Sequence, residues 1–512
     1  MTNYYIGFDC GTMGTKVAIY ADDSNLVAEA YRPHKIDFPK PGWAEMDPDQ
    51  FYRCVVDGIK ECVTTSGIDP KQVRGISCSG IVCGFVPIDE NWDPTRPYIC
   101  FLDTRAKKEA EQVANLDEKP WYDEAGNAEP GAYMPPMFMK WLLTHEQENM
   151  GRAKSVVHGA HYVLGRLGEL SGKDAFTDWA HASGWIIGFD ARKRQWSDRQ
   201  FDALNIPREL IPKMNKPWDV VGELSPRQAE ACGLVAGIPL VTGAGDVMQS
   251  NLGSGVIDIG MSSDVAGTAS IFTFVAPDFK REVTDQKAIL NSMGTLEDQY
   301  VYWSFIPAGG LSLRWFRDEV LMREGDEEIF KELDQMAAKV PLGSEMSLFF
   351  PYLQGRSNPS WPEASASFIG MHGSNNAGTM WRSMMESIAF EYLSWVSLMR
   401  GVGIDLEEVI GTGGGSKSKI WNQIKADVLD APYTTLKRTE GAVLGNAVVA
   451  AYGVGDIPDI PSTIKQWLER KETFQPNAEN TAAYRRVFEQ REKILNGPLR
   501  EVMRELGALH DA

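Results

Sequence analysis

Apolar positions along the chain change their period several times, and each change marks an element. Tyr4 to Asp9 is a short apolar run. A glycine-rich turn follows it, and Lys16 to Tyr20 reads as the second strand of a hairpin. Phe51, Val55, Val56, Ile59 and Val63 then recur at spacings of three and four, which predicts a helix over 49–63. Strand-like runs occupy 73–77 and 81–88, and a helix rich in Ala, Lys and Glu is expected from Thr104 onward. The stretch 116–135 carries Pro, Gly and Asn and reads as loop. Segment 170–200, with Trp179, Trp185 and Trp196, follows no clean period, and 205–226 is a break dense in Pro, Lys and Asp. From Ile238 to Ser270, strand-like runs alternate with glycines. Met385, Ile388, Ala389 and Tyr392 place one buried face on a helix over 381–399, and a second helix is expected over 418–430. The last forty residues are charged and helical. Strands alternating with helices in both halves predict an α/β fold. The expected division is residues 1–245 and 246–512, near the composition change at 240–250.

The length of 512 residues supports that division, because one compact core rarely organises so long a chain. An excess of Asp+Glu 70 over Lys+Arg 51 gives a net charge of −19. Such a chain repels phosphate backbones and anionic lipid surfaces, so neither nucleic acid nor a membrane is an expected partner. No apolar run is long enough to span a bilayer. The first residues also lack the basic-then-apolar pattern of a secretory signal. The seven cysteines are scattered, with no C-x-x-C pair, which argues against a disulfide framework or a zinc site and for a reduced cytoplasm.

Five short segments could carry chemistry. Asp9-Cys10-Gly11-Thr12-Met13-Gly14-Thr15-Lys16 joins two strand-like runs. Its glycines allow close approach of backbone N–H groups to an anion, and its threonines and Lys16 add donors and charge. An ordinary hairpin turn is the competing reading. Asp9, ending a strand beside such a turn, is placed to hold Mg²⁺. Ala266-Gly267-Thr268-Ala269-Ser270 repeats the strand–turn–strand pattern, and Gly411-Thr412-Gly413-Gly414-Gly415-Ser416-Lys417 enters a predicted helix, where an anion or flat nucleotide could lie against backbone. Asp246 ends the apolar run Val241–Gly245, as a general base or as a helix cap. Asp103 and Arg105 flank Thr104 at another strand end, again with helix capping as the alternative. His158 and His161 stand three apart without an evident partner in the sequence, and no metal site is expected there.

Taken in order, these segments resemble the FGGY carbohydrate kinases, a branch of the actin-like ATPase superfamily. The resemblance runs from IGFDCGTMGTKVAIY (6–20) to EGAVLGNAVVAAYGVG (440–455). Between them lie FLDTRA (101–106), TDWAHASGWIIGFDARKRQWS (177–197), TGAGDVMQSNLGSG (242–255), AGGLSLRWFRD (308–318), PYLQGRSNPSWPEASASFIGM (351–371) and GTGGGSKSKIWNQIKADVLDAP (411–432). It implies two actin-like (ribonuclease H-like) domains around a deep cleft, and ATP with Mg²⁺ as cofactors. The implied reaction is phosphorylation of a sugar hydroxyl, a pentulose such as xylulose or ribulose being the first candidate. Another polyol or linear substrate (glycerol, erythritol, gluconate, an autoinducer) is the alternative, and an actin-like ATPase coupled to a protein partner is a further one.

By the same resemblance, Gly11, Thr12, Thr15 and Lys16 form the first phosphate hairpin, and Gly267 and Thr268 the second. Gly310 lines the nucleotide cleft, and Gly413, Gly414, Ser416 and Asn422 lie on the adenosine side. Asp246 is the catalytic base and shares Mg²⁺ with Asp9, while Asp103, Arg105, Val82 and Cys83 face the sugar. A homodimer is also suggested. The chain departs from the pattern at Gly75–Gly84, GISCSGIVCG, where xylulose kinases typically show Gln-Met-His-Gly and glycerol kinases Gln-Arg-Glu.

Overall fold

In a computed structural model that describes residues 2–126, 129–438 and 441–510, two mixed sheets share one strand order. The first contains β1 (Tyr4–Cys10), β2 (Gly14–Ala21), β3 (Leu26–Pro33), β4 (Val73–Gly80), β5 (Val220–Glu223) and β6 (Pro239–Gly245), in the order β5-β6-β4-β1-β2-β3. β1, β2 and β3 form an antiparallel meander, and β4 and β6 extend it in parallel. The second contains β7 (Met261–Ala266), β8 (Ser270–Ala276), β9 (Leu290–Met293), β10 (Tyr300–Ile306), β11 (Glu408–Thr412), β12 (Tyr433–Leu436) and β13 (Arg470–Phe474), in the order β9-β10-β8-β7-β11-β12-β13. Again an antiparallel meander, β7-β8-β10, is extended in parallel by β11 and β12.

Helices cover the sheets as the periodicity predicts. Helix α1 (Pro48–Ser66) is capped by the Asp47 carboxylate, which accepts from the Asp49 N–H, and it ends at Gly67 in the left-handed region. It buries Phe51, Val55, Val56, Ile59 and Val63, the stripe read from the sequence. Helix α2 (Gly159–Gly168) packs into the same core. The chain enters helix α3 (Asp246–Gly253) directly from β6. Helix α4 (Gly309–Trp315) follows β10, and α5 (Ala377–Gly401) and α6 (Lys419–Leu429) pack together in the second core. The irregular segment 170–200 resolves into the short helix Trp179–Ser183 and a two-stranded hairpin, Phe189–Asp190 with Gln195–Trp196, pieces too short to show a period. The predicted loop 116–135 includes one helical turn, Trp121–Glu124.

One helix ties the two sheets together. Helix α7 (Gly441–Gly453) comes late in the chain, yet it lies against β1 and β4 of the first sheet and against α3. Small residues allow the approach: a Cβ on Gly445 would sit 2.5 Å from the Gln249 carbonyl oxygen, and one on Gly7 would sit 2.3 Å from that of Val443. The Asn446 amide then donates to the Phe8 carbonyl (2.8 Å) and the Ser79 hydroxyl (2.9 Å). Tyr5, Ala18 and Tyr20 share a core with Val443, Ala447 and Ile464, so the halves are joined by packed apolar surface rather than by a linker alone.

Candidate active site

Asp246 stands where β6 ends and α3 begins. The strand reaches it through a bulge: the register with β4 shifts between Val241 and Ala244. Gly243 there has φ +77, and a Cβ on it would lie 1.8 Å from the Cys78 carbonyl oxygen, so glycine is required. The Asp246 carboxylate accepts from the Val247 N–H (2.7 Å). Burial, and secondarily the negative charge of Asp9, push its pKa up to about 7. Asp9, one residue before the end of β1, accepts a hydrogen bond from the Ser79 hydroxyl (2.7 Å), which itself accepts from Asn446. A helix of the second half is therefore two hydrogen bonds from one acid of the pair. The arrangement is a carboxylate of raised proton affinity beside a second carboxylate, at the ends of two parallel strands that flank β4.

The turn after Asp9 is a tight β1–β2 hairpin closed by the Gly11 N–H donating to the Gly14 carbonyl (3.1 Å). His34 buttresses it from below. Its Nδ1 lies 3.0 Å from the Gly11 carbonyl oxygen, so that nitrogen donates, and its Nε2 accepts from the Thr15 hydroxyl (2.8 Å). Thr15 is fully buried. Its expected place as a phosphate donor is thus corrected: the hydroxyl is engaged beneath the turn, and half-buried Gly11 and Thr12 form the tip with exposed Met13. Lys16 pairs in register with Asp9 across the hairpin.

Val82 and Cys83 occupy the turn after β4, beside Asp246. Val82 nests between two glycines: a Cβ on Gly245 would lie 2.6 Å from one of its methyl groups, and a Cβ on Gly184 would lie 1.7 Å from the other. The Cys83 thiol donates to the Gly184 carbonyl (3.1 Å), and burial, with a contribution from Asp246, pushes its pKa up to about 12. It is a neutral wall of the site.

Asp103 and Arg105 are placed differently from the expectation. Both side chains are sealed from solvent, at 0% and 1% exposure. Asp103 accepts from the Ala44 N–H (2.6 Å), the Arg105 N–H (2.8 Å) and the guanidinium (2.7 Å from Nη2). Arg105 also pairs with Glu45 (2.6 Å) and lies 3.7 Å over the Trp43 ring. Burial in an ion pair leaves neither group a surface to offer a sugar.

A separate cavity of about 570 Å³ opens in the second half. At one end lie Gly267, Thr268 and Gly310. The Gly310 and Leu311 N–H groups donate to the Gly267 and Thr268 carbonyls (3.1 and 3.0 Å), docking the start of α4 on the β7–β8 turn. A Cβ on Gly310 would lie 2.1 Å from the Gly267 carbonyl oxygen. Arg314 donates to the Thr268 hydroxyl (2.6 Å). At the other end, Gly414, Gly415 and Trp421 face Trp381, Phe330 and Asp334. Gly413 turns the chain at φ +75, Ser416 donates to its carbonyl (2.8 Å), and Asn422 donates to the Ser416 carbonyl (2.8 Å). Gly413, Ser416 and Asn422 therefore shape the loop that Gly414 and Gly415 present. Asp334 ties the wall together by accepting from the Trp381 indole (2.8 Å) and the Ser418 hydroxyl (2.7 Å). The sequence reading missed Arg314, Phe330, Asp334, Trp381 and Trp421. Arg314 and Trp421 lie in recognised segments, and only the fold assembles the others. A larger hollow, about 790 Å³, lies apart from both, between Asp37–Pro39 and Pro94–Pro97.

Comparison with known proteins settles what this two-part site belongs to. Residues 4–253 match the N-terminal domain of the FGGY family of carbohydrate kinases, and residues 264–454 match its C-terminal domain. The chain belongs to this family. It is a sugar kinase with the family's two-domain α/β, actin-like fold. A xylulose kinase of Staphylococcus epidermidis is 28% identical over 494 residues, covering 96% of each chain. A gluconokinase of Bacillus licheniformis is 24% identical, over 95% of this chain and 94% of its own. The crystal structure of a xylulose kinase from Rhodospirillum rubrum superposes with a TM-score of 0.89 at 25% identity, covering 98% of this kinase and all of that chain. No helix among the described residues is long and apolar enough to cross a membrane.

Proposed function

We propose that this kinase transfers the γ-phosphoryl group of ATP to a hydroxyl of a pentulose, with Asp246 as general base. The placement of Asp246 carries the reading: it stands at the end of β6, beside Asp9, Val82 and Cys83. A carboxylate whose pKa is pushed toward 7 is matched to taking the proton of an attacking hydroxyl near neutral pH. The sugar lies against Val82 and Cys83 beside Asp246. The nucleotide lies in the cavity of the second half, its base between Trp381, Trp421 and Gly414–Gly415, its phosphates toward Gly267–Thr268 and the Gly11–Thr12 tip. Backbone N–H groups at the two turns stabilise charge on the phosphoryl oxygens. Division near residue 245 puts the base at the junction of the two halves, where closure excludes water.

The donor set also fits Mg²⁺. Asp9 and Asp246 are two oxygen ligands close enough for one charge to raise the other's pKa, and a hard cation relieves that repulsion. They would hold it, and when bound it would neutralise phosphate charge in transfer. Curated relatives include xylulose kinases, gluconokinases and an autoinducer-2 kinase, so gluconate or another linear polyol is the competing substrate. A cytoplasmic homodimer completes the proposal. The test is Asp246→Asn, assayed by ATP binding and by steady-state turnover. Retained ATP binding with turnover down at least about a hundredfold is expected of a lost general base, and substantial residual phosphorylation would remove Asp246 from that role.

A further inference from the structure

Beneath the floor of the site, three buried side chains from separate segments converge. His161 comes from α2, Asp178 from the short strand Phe176–Asp178, and His181 from the turn of helix after it. All three are at 0% exposure, and one ligand atom from each lies within 4.8 Å of those of the others. Asp178 is the pivot. Its Oδ1 accepts from the Ala180 and His181 N–H groups (2.8 and 3.1 Å), fixing the carboxylate as a helix cap. Its Oδ2 lies 2.5 Å from His181 Nδ1 and 3.5 Å from His161 Nε2.

The hydrogen bonding of this cluster is incomplete. Neither ring nitrogen of His161 has a hydrogen-bond partner, nor does Nε2 of His181. His161 lies against the Thr242 backbone without a well-formed bond to it. Buried polar atoms are paired as a rule, and the orphaned nitrogens leave His161 and His181 each a ligand atom to give to one shared ion. His158 beside them shows the contrast: its Nδ1 reaches the Thr177 hydroxyl (3.2 Å) and its Nε2 accepts from the Trp185 indole (2.8 Å). That imidazole is satisfied and forms only a wall.

We propose that His161, Asp178 and His181 bind one divalent transition-metal ion, zinc in the first instance, at a structural site separate from the catalytic acids. Two imidazoles and a carboxylate are the donors that such ions take, whereas Mg²⁺ and Ca²⁺ take oxygen. A bound ion would pin α2 and the Trp179–Ser183 turn near β6, four residues before Asp246, and it would enter as the chain folds.

The test uses the full-length protein, purified without chelator and analysed by elemental mass spectrometry, then unfolded, stripped and refolded with Co²⁺. About one equivalent of zinc per chain is expected of a structural site, together with the visible absorption of tetrahedral cobalt. Both should be lost in the double variant His161→Gln, His181→Asn, with circular dichroism confirming its fold. Zinc-free protein that also takes up no cobalt, or metal content unchanged in the folded variant, overturns the proposal. Should the variant fail to fold, X-ray absorption on the wild-type metal decides. Imidazole scattering supports the site, and a shell of oxygen or sulfur alone overturns it. None of these readouts depends on turnover.

Discussion

Replacing Asp246 with Asn should stabilise the metal-free kinase, and the gain should depend on pH in a fixed direction. The folded protein holds a proton on Asp246 up to about pH 7, through burial and the nearby Asp9 charge, whereas an unfolded chain releases it near 3.8. Well below pH 3.8 the carboxyl is neutral in both states and nothing is lost. As pH rises from 4 to 7, the unfolded state alone ionises, and native stability falls by ~1.4 kcal/mol per pH step. Above 7 the penalty is complete, and the full gap between the two pKa values corresponds to about 4 kcal/mol. Asp246 retains some solvent contact, so screening reduces this to about 2–3 kcal/mol. Asn is close in shape and carries no charge, so it removes the penalty. Thermal unfolding of wild type and Asp246→Asn in EDTA, from pH 4.5 to 8.5, reads the difference. The two should converge at the acid end and separate by several degrees at pH 8. A difference that is flat with pH, or a variant less stable at pH 8, would refute the electrostatic account of this acid pair.

Two further predictions concern Gly310 and Asp103. Gly310→Ala places a Cβ 2.1 Å from the Gly267 carbonyl oxygen and must push α4 off the β7–β8 turn. The KM for ATP should rise at least about tenfold, with the KM for sugar little changed, as measured by steady-state kinetics. Asp103→Asn leaves Arg105 with Glu45 and the more distant Glu146 and should cost about 2–4 kcal/mol in denaturant unfolding, because a buried charge loses its main partner. A loss in sugar KM without that loss of stability would return Asp103 to direct substrate contact.

How far the sequence announced this structure depends on whether a feature is local. Period-3.6 stripes such as Phe51-Val55-Ile59 and hairpins such as 4–20 are written in neighbouring residues, and they appear where expected. Some glycine-rich segments were legible because glycine is forced at bulges and close approaches, as at Gly243 in β6 and Gly310 at the start of α4. Features built by long-range packing were not. His158 and His161 looked partnerless, because Asp178, His181, Thr177 and Trp185, which surround them, come from a segment without a period. Asp103 and Arg105 read as a polar pair facing substrate, since nothing in the sequence places Glu45 and Trp43 against them. Trp381 and Trp421 fell on predicted helices without a stated role, and only the fold turns them toward a cavity.

The central claim is that a sugar hydroxyl is the acceptor of the phosphoryl group, and ADP release tests it most directly. Wild-type kinase with ATP and Mg²⁺ is assayed across ketopentoses, polyols and sugar acids, with product sugar phosphate followed in parallel. The account predicts that one pentulose stimulates ADP release far above the rate without sugar, with equal formation of its phosphate. ADP release indifferent to every sugar but stimulated by a protein would contradict it, and a response confined to gluconate or another polyol would move the substrate while leaving the kinase in place.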